Sequence, residues 1–425
     1  MKLRDGIYNA YVQILLEELV PAMGCTEPIA IAYCAAKARD VLGEAPDRIE
    51  IEVSGNILKN VKGVVVPNTG GLKGIAAAAG AGVIAGDAGR RLEVIAEVSA
   101  KQREKIKAYL RITPIFISCA DSGLILDINM TVSRGSRRAR VRIANNHTNI
   151  VYIEKDGHVL FQAPVTRSPE ENLTDKSVLN VREIVEFANI AHIDDVEAAL
   201  RRQISLNMAI AEEGIRGDYG ANVGSVLLSD FGGDVKNRAK AMAAAGSDAR
   251  MSGCELPVVI LSGSGNQGIT ASVPVVIYAR ELKVDEEKLY RALIVSNLVT
   301  VHQKSGIGRL SAFCGAVSAG CGAGAGIAYL KGGDYEVIAH TIVNALAIVS
   351  GIVCDGAKPS CAAKIASAVE AGLLGYHMYL NNQQFRSGDG IVAKGVDNTI
   401  ANVGCMARDG MRETDREILR IMTKE

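Results

Sequence analysis

Two hydrophobic rhythms alternate along this chain. Residues 7–19 and 28–42 carry apolar and small side chains at helical spacing, and Pro21, Gly24 and Pro28 force a turn between them. Thr26 is placed to cap the second helix, with Pro28 in its first turn. From about 48 to 165 the period shortens to two. Residues 49–53, 61–66, 115–119, 124–128, 139–143 and 150–153 read as strands. Several alternate apolar with charged side chains, as a sheet with one wet face does. A Gly/Ala-rich helix over 71–85 and a more polar one over 100–110 interrupt them. After a polar connection at 168–182 the pattern is helical to the end, through Ala-rich segments at 239–245, 273–280, 289–301, 316–330, 337–348 and 361–374. The expected class is α+β. A mixed α/β domain with an antiparallel-type sheet (46–182) packs on a largely all-α, Gly/Ala-rich domain (183–425), and the helices of 1–45 are expected to join the helical domain.

Composition narrows this picture. A chain of 425 residues exceeds one ordinary core. With no Trp and 4% aromatics, the core must be Ala, Val, Ile and Leu, which suits closely packed helices. The 47 basic and 47 acidic residues cancel, so neither nucleic acid nor an anionic membrane is an expected partner. A small-molecule substrate is expected, and a homo-oligomer stays open. The charged, amphipathic start lacks the apolar core of a signal peptide, and no run of about twenty apolar residues occurs. Nine scattered cysteines read as reduced thiols, so the expected location is cytoplasmic.

Candidate chemistry sits at the breaks in these rhythms. Cys314, Cys354 and Cys361 lie in Gly- and Ala-rich stretches, where backbone can approach a ligand. Their spacing is not that of a zinc ribbon or ferredoxin, and small buried thiols are the plainer reading. Cys321 is a rival to Cys314 for the first position. Gly263, Ser264, Gly265, Asn266 and Gln267 follow an apolar run and precede a helix, which makes their amides an anion site for a phosphate or carboxylate, or else a flexible cap. Asn68 and Thr69 occupy a similar turn in P-N-T-G-G-L-K-G, with binding and simple capping equally open. His147, among amides at a strand end, is either a proton carrier or a turn residue. Lys304 is either a carboxylate ligand or a solvated helix end. Cys25, at a helix N-terminus, has its thiolate favoured by the helix dipole, as base, nucleophile or metal ligand.

Taken together, G-C-T-E-P at 24–28, S-G-N at 54–56, P-N-T-G-G-L-K-G at 67–74, N-H-T-N at 146–149, G-S-G-N-Q-G at 263–268 and the cysteine set resemble the L-cysteine desulfidase family. That family is a distant relative of the iron–sulfur L-serine dehydratases, and the resemblance runs from about residue 5 to 410. It implies a [4Fe–4S] cluster in place of pyridoxal phosphate, with Cys314, Cys354 and Cys361 as its ligands and Cys25 as the base that takes the α-proton. Three thiolates would leave one iron open as a Lewis acid. The amides of 263–268, with Asn68, Thr69 and Lys304, would hold the substrate carboxylate. The implied reaction is α,β-elimination of L-cysteine to sulfide, ammonia and pyruvate. Three alternatives stand beside it: the same chemistry on L-serine, a pyridoxal-phosphate lyase using Lys304 or Lys73, and a cluster-bearing sensor without turnover.

Overall fold

The computed structural model describes residues 5–23, 26–120, 122–124, 126–165, 173–308 and 311–423. Its strands are β1 (Pro21–Met23), β2 (Arg48–Val53), β3 (Ile115–Cys119), β4 (Asp127–Arg134), β5 (Arg137–Ala144), β6 (Ile150–Lys155), β7 (His158–Gln162) and β8 (Pro257–Val259). Six of them form one sheet in the order β3-β2-β4-β5-β6-β7. The β2–β3 pair is parallel and the remaining pairs are antiparallel. In β2 the alternation is strict: Ile49, Ile51 and Val53 are buried, while Arg48, Glu50 and Glu52 face water. Register places Ile51 opposite Met130 on one side and Ile117 on the other.

The buried face of this sheet packs on the helices Thr26–Leu42 and Gly74–Ala85. The two helices touch through backbone, since a β-carbon on Gly82 would overlap the carbonyl of Ala32. On the polar face Arg142 covers the buried Asp127 and donates Nε and Nη2 to its two oxygens at 2.8 and 2.7 Å.

The rest is helical. Helix Gly315–Leu330 runs buried through the centre, against helices Gly265–Leu282, Glu286–Ile307, Tyr335–Val349 and Cys361–Leu380. Its glycines permit this crowding, because a β-carbon on Gly324 would lie 2.7 Å from the Cα of Gly372. The α+β class therefore holds.

Three expectations change in detail. The N-terminal helices part company: Asp5–Glu18 joins the helical core through Tyr11, Ile14 and Leu15, but Thr26–Leu42 belongs to the core of the sheet. Residues 61–66 are not a strand. They end the helix Gly55–Val61 and turn, and Val66 N–H and Gly74 N–H bond across the loop to Leu72 O and Val64 O. Finally, β7 adds an edge strand in which all five residues are exposed, so it shows no alternation.

Candidate active site

A two-stranded pairing brings the first turn of the chain to the glycine-rich loop. β1 runs antiparallel to β8, with Pro21 opposite Val259 and Met23 opposite Pro257. Beyond β8 the chain closes a tight turn in which Leu261 and Ser264 exchange both backbone hydrogen bonds, at 3.1 and 3.0 Å. Ser262 and Gly263 both take positive φ, +48° and +77°, as a two-residue mirror-image turn requires. Helix Gly265–Leu282 starts at once, and the Ser264 side chain caps none of its amides. Gly268 is needed for contact, because a β-carbon there would overlap the carbonyl of Val259. Thr26 Oγ1 donates to Gly263 O at 3.4 Å and so ties the two turns together.

The three cysteines converge on a cavity of about 110 Å3 in front of this turn. Cys314 precedes helix Gly315–Leu330, and its N–H bonds Ile352 O at 3.1 Å. Cys354 N–H bonds Ala312 O at 2.6 Å, which straps the two thiols onto facing segments. Cys361 opens helix Cys361–Leu380, at the end of a loop whose Gly356 has φ +97° and presses on Lys59 O. Burial pushes the Cys314 thiol up to about 12, helped by the neighbouring Cys354 and Cys361. Burial likewise raises Cys361, with Cys354 adding to it.

Clustered, desolvated thiols of this kind ionise only beside compensating positive charge, which bound iron supplies. No three His, Cys, Asp or Glu side chains among the described residues stand close enough to hold one metal ion. Three thiols lining one cavity are a donor set that an iron–sulfur group could take. Cys321 lies elsewhere. Its sulfur is fully buried 3.7 Å from Ile342 O and does not line the cavity.

Lys304 lines the same cavity with 5% of its surface exposed. Burial lowers its pKa to about 8, against the opposing pull of Cys354, Cys314 and Glu18. Gly263, Ser264, Asn266 and Gln267 also line it, while Gly265 packs its Cα on the guanidinium of Arg250. The Gln267 Oε1 acceptor is buried with no hydrogen-bond donor among the described residues.

Other expected site residues stand apart. Asn68 and Thr69 are buried in their own turn. Asn68 Nδ2 donates to Ile95 O and Ala96 O at 2.8 and 3.1 Å, and Thr69 Oγ1 donates to Val66 O at 2.7 Å. Neither lines the cavity, and neither does His147, half-buried in the turn between β5 and β6. Lys73 is exposed at the N-cap of helix Gly74–Ala85. Cys25 lies outside the described residues, although Thr26 and Glu27 immediately after it line the cavity.

Three lining residues, Glu27, Arg250 and Lys59, were not singled out as candidates by the sequence. Glu27 accepts from Asn60 Nδ2 at 3.0 Å and from Thr26 Oγ1 at 3.1 Å. Arg250, 3% exposed at the end of helix Val235–Met251, donates Nη1 to Asn266 Oδ1 at 3.2 Å. Lys59 pairs with Asp415 at 2.5 Å.

A family model described as serine dehydratase alpha chain matches residues 89–420, and the chain belongs to that family. Within it, the chain is similar end to end to the UPF0597 proteins. The UPF0597 protein of Desulfitobacterium hafniense (strain Y51) is 62% identical over 425 residues, 100% of this chain and 99% of the relative. That of Lachnoclostridium phytofermentans is 53% identical over 416 residues, covering 98% and 100%. That of Treponema denticola is 47% identical over 433 residues, covering 100% of both. The family match takes in Arg250, the 262–267 turn, Lys304 and the three cysteines, and begins downstream of Glu27 and Lys59. Among the described residues no helix is long and apolar enough to cross a membrane.

Proposed function

We propose that the protein is an L-cysteine desulfidase, a carbon–sulfur lyase that depends on an iron–sulfur cluster. The observation that carries this reading is the convergence of Cys314, Cys354 and Cys361 with Lys304 and the 262–267 turn on one small cavity. Cys314, Cys354 and Cys361 would hold a [4Fe–4S] cluster, which would supply a Lewis acid for the elimination.

The chain's own groups do the rest. The uncapped amides of the helix starting at Gly265, with cationic Lys304, draw in the α-carboxylate. That grip fixes the rotation about Cα and turns its C–H toward the base. Cys25, next in sequence to two lining residues, takes the α-proton as a thiolate. The C–H electrons form the Cα=Cβ bond, and the C–S pair leaves on sulfur as sulfide. The aminoacrylate so released tautomerises and hydrolyses to pyruvate and ammonia.

A second reading, elimination of water from L-serine, is favoured by the description of the matched family. Anaerobic purification, iron and acid-labile sulfide analysis, and parallel assays with L-cysteine and L-serine separate the two. About four irons per chain, with sulfide and pyruvate from cysteine at a higher kcat/KM than for serine, are expected. A higher kcat/KM for serine moves the assignment to the dehydratase. Product formation by iron-free protein removes the cluster from the mechanism. A loaded protein that turns over neither substrate ends the lyase reading.

A further inference from the structure

Two helices do not cover a six-stranded sheet. Helix Thr26–Leu42 lies mainly over β4 and β5, and the sheet runs on past it into β6 and β7. On this overhang Phe161 stands opposite Ile153, which packs against the core of the sheet, so both side chains share the helix-covered face. The angle between helix and overhang is an open groove of about 500 Å3. Tyr33 and Lys37 line it from the helix, Arg91 from the segment after helix Gly74–Ala85, and Ile150, Ile153 and Phe161 from the sheet. It shares no lining residue with the cysteine cavity.

The charge of this groove is one-sided. Lys37 and Arg91 line it, and no carboxylate does among the described residues. Neither cation has an ion pair or a side-chain hydrogen bond among the described residues. Cations nearby do: Arg90 pairs with Glu97 at 3.0 Å, and Arg39 with Asp40 at 2.6 Å. Arg91 is also held in a costly backbone conformation, φ +50° and ψ −111°, where two short turns meet. Arg90 N–H bonds Asp87 O and Val94 N–H bonds Arg91 O, which closes the chain on both sides of it. Non-glycine residues held this way cluster at ligand clamps and active sites. The apolar part is a contiguous patch, and Phe161 within it is 46% exposed.

An apolar patch with an aromatic ring accepts a flat ring, and two unpaired cations beside it call for an anion. The guanidinium fork matches carboxylate and phosphate alike. We propose that this groove binds a small aromatic anion, a planar ring bearing a carboxylate or a phosphate. The ring lies on Phe161, Ile153 and Tyr33, and the anion is taken by Arg91 and Lys37. The site goes beyond the elimination reading and stands whether or not that reading does.

The test titrates the full chain calorimetrically. AMP and indoleacetate each join a ring to an anion. Adenosine and indoleacetamide keep the rings without the charge, and inorganic phosphate and acetate keep the charge without the ring. One of the two ring anions should bind at a single site per chain, about tenfold or more tighter than its neutral and ringless counterparts. Which of the two binds tighter identifies phosphate or carboxylate as the recognised group. Arg91→Gln and Lys37→Gln should each weaken that ring anion by about tenfold and leave its neutral counterpart within about twofold. Phe161→Ser should weaken the ring anion and its neutral counterpart alike. None of the three side chains is fully buried, and melting curves identify any variant that fails to fold, so that the remaining ones decide.

Equal affinity of the ring anions and their neutral counterparts overturns the proposal. So does wild-type affinity in both Arg91→Gln and Lys37→Gln, or failure of both ring anions to bind at millimolar concentration. A wild-type dimer in light scattering that Phe161→Ser converts to monomer overturns it as well, by giving the groove to a second copy of the chain.

Discussion

Gly315 and Gln267 meet without room for a single extra carbon. A β-carbon on Gly315 would lie 2.6 Å from Gln267 Cδ and Nε2, and 3.0 Å from Oε1. The contact joins the residue after Cys314 to the turn that faces the substrate cavity. The obstructing atoms are the far end of a flexible side chain, so they can move. Gly315→Ala should therefore fold, because the side chain in the way can shift to make room. Its affinity for the amino acid should nevertheless fall by about tenfold as the Gln267 amide, which lines the cavity, is displaced. Calorimetry and a melting curve on the same sample check both halves. Unchanged affinity would take Gln267 out of the binding surface.

The three cavity cysteines and Cys321 should behave as different classes of thiol. Cys314→Ser, Cys354→Ser and Cys361→Ser each remove one thiolate from the cavity and should each abolish iron and acid-labile sulfide incorporation. Cys321→Ser should keep the full complement, since its sulfur faces Ile342 O within the helical core. It should instead lower stability by about 1 kcal/mol, the usual effect of placing a hydroxyl at an apolar site. Metal analysis after anaerobic reconstitution distinguishes the two. Loss of iron in Cys321→Ser would return the first ligand position to dispute.

How much of this was legible in the sequence follows from what each signal depends on. β2 could be read because one wet face imposes alternation on 48–53. β7 could not, because an edge strand exposed on both faces has no alternation to show. The Val-rich 61–66 looked like a strand, but its hydrogen bonds close a loop with 72–74. At the site, the turns at 67–74 and 263–268 have nearly the same composition. Only tertiary placement separates them: the first uses Asn68 and Thr69 to tie its own backbone, while the second opens on the cavity. Arg250 was hidden for a related reason. A cation in the last turn of a helix normally complements the dipole in solvent, and nothing local marks this one as buried.

Lys59 and Asp415 bind the C-terminal helix to the cavity wall. The Lys59 side chain is 1% exposed and lines the cavity, and its ammonium lies 2.5 Å from Asp415 Oδ1. Among the described residues of helix Arg412–Thr423 no side chain is buried; it rests on helix Gly55–Val61 where Leu419 covers Gly55. Asp415→Asn leaves the buried cation without its charge partner and should cost about 3 kcal/mol. Lys59→Met in the same chain should recover much of that loss, since no buried charge remains. Urea midpoints measure the pair, and faster tryptic cleavage at Arg416 and Arg420 reports release of the helix. Equal stability of wild type and Asp415→Asn would show that water already satisfies Lys59.

Lys304 should trade stability for function. Its folded pKa of about 8 lies below the ordinary 10.5 because burial penalises the ammonium. A lowered lysine pKa favours folding where the amine is neutral. Its contribution is therefore fully present above about 10.5 and is lost as the pH falls through about 8. At pH 7 the cluster-free protein carries the whole penalty, on the order of 3 kcal/mol for a displacement of this size. Lys304→Met should accordingly raise the urea midpoint of cluster-free protein at pH 7, and the gain should shrink as the pH approaches 10. In the loaded protein the same change should raise KM for the amino acid by about tenfold, through loss of one carboxylate contact. A variant that is less stable than wild type at pH 7 would mean that the ammonium is satisfied in place. The lysine would then be a structural cation whose removal leaves its thiol neighbours exposed to one another.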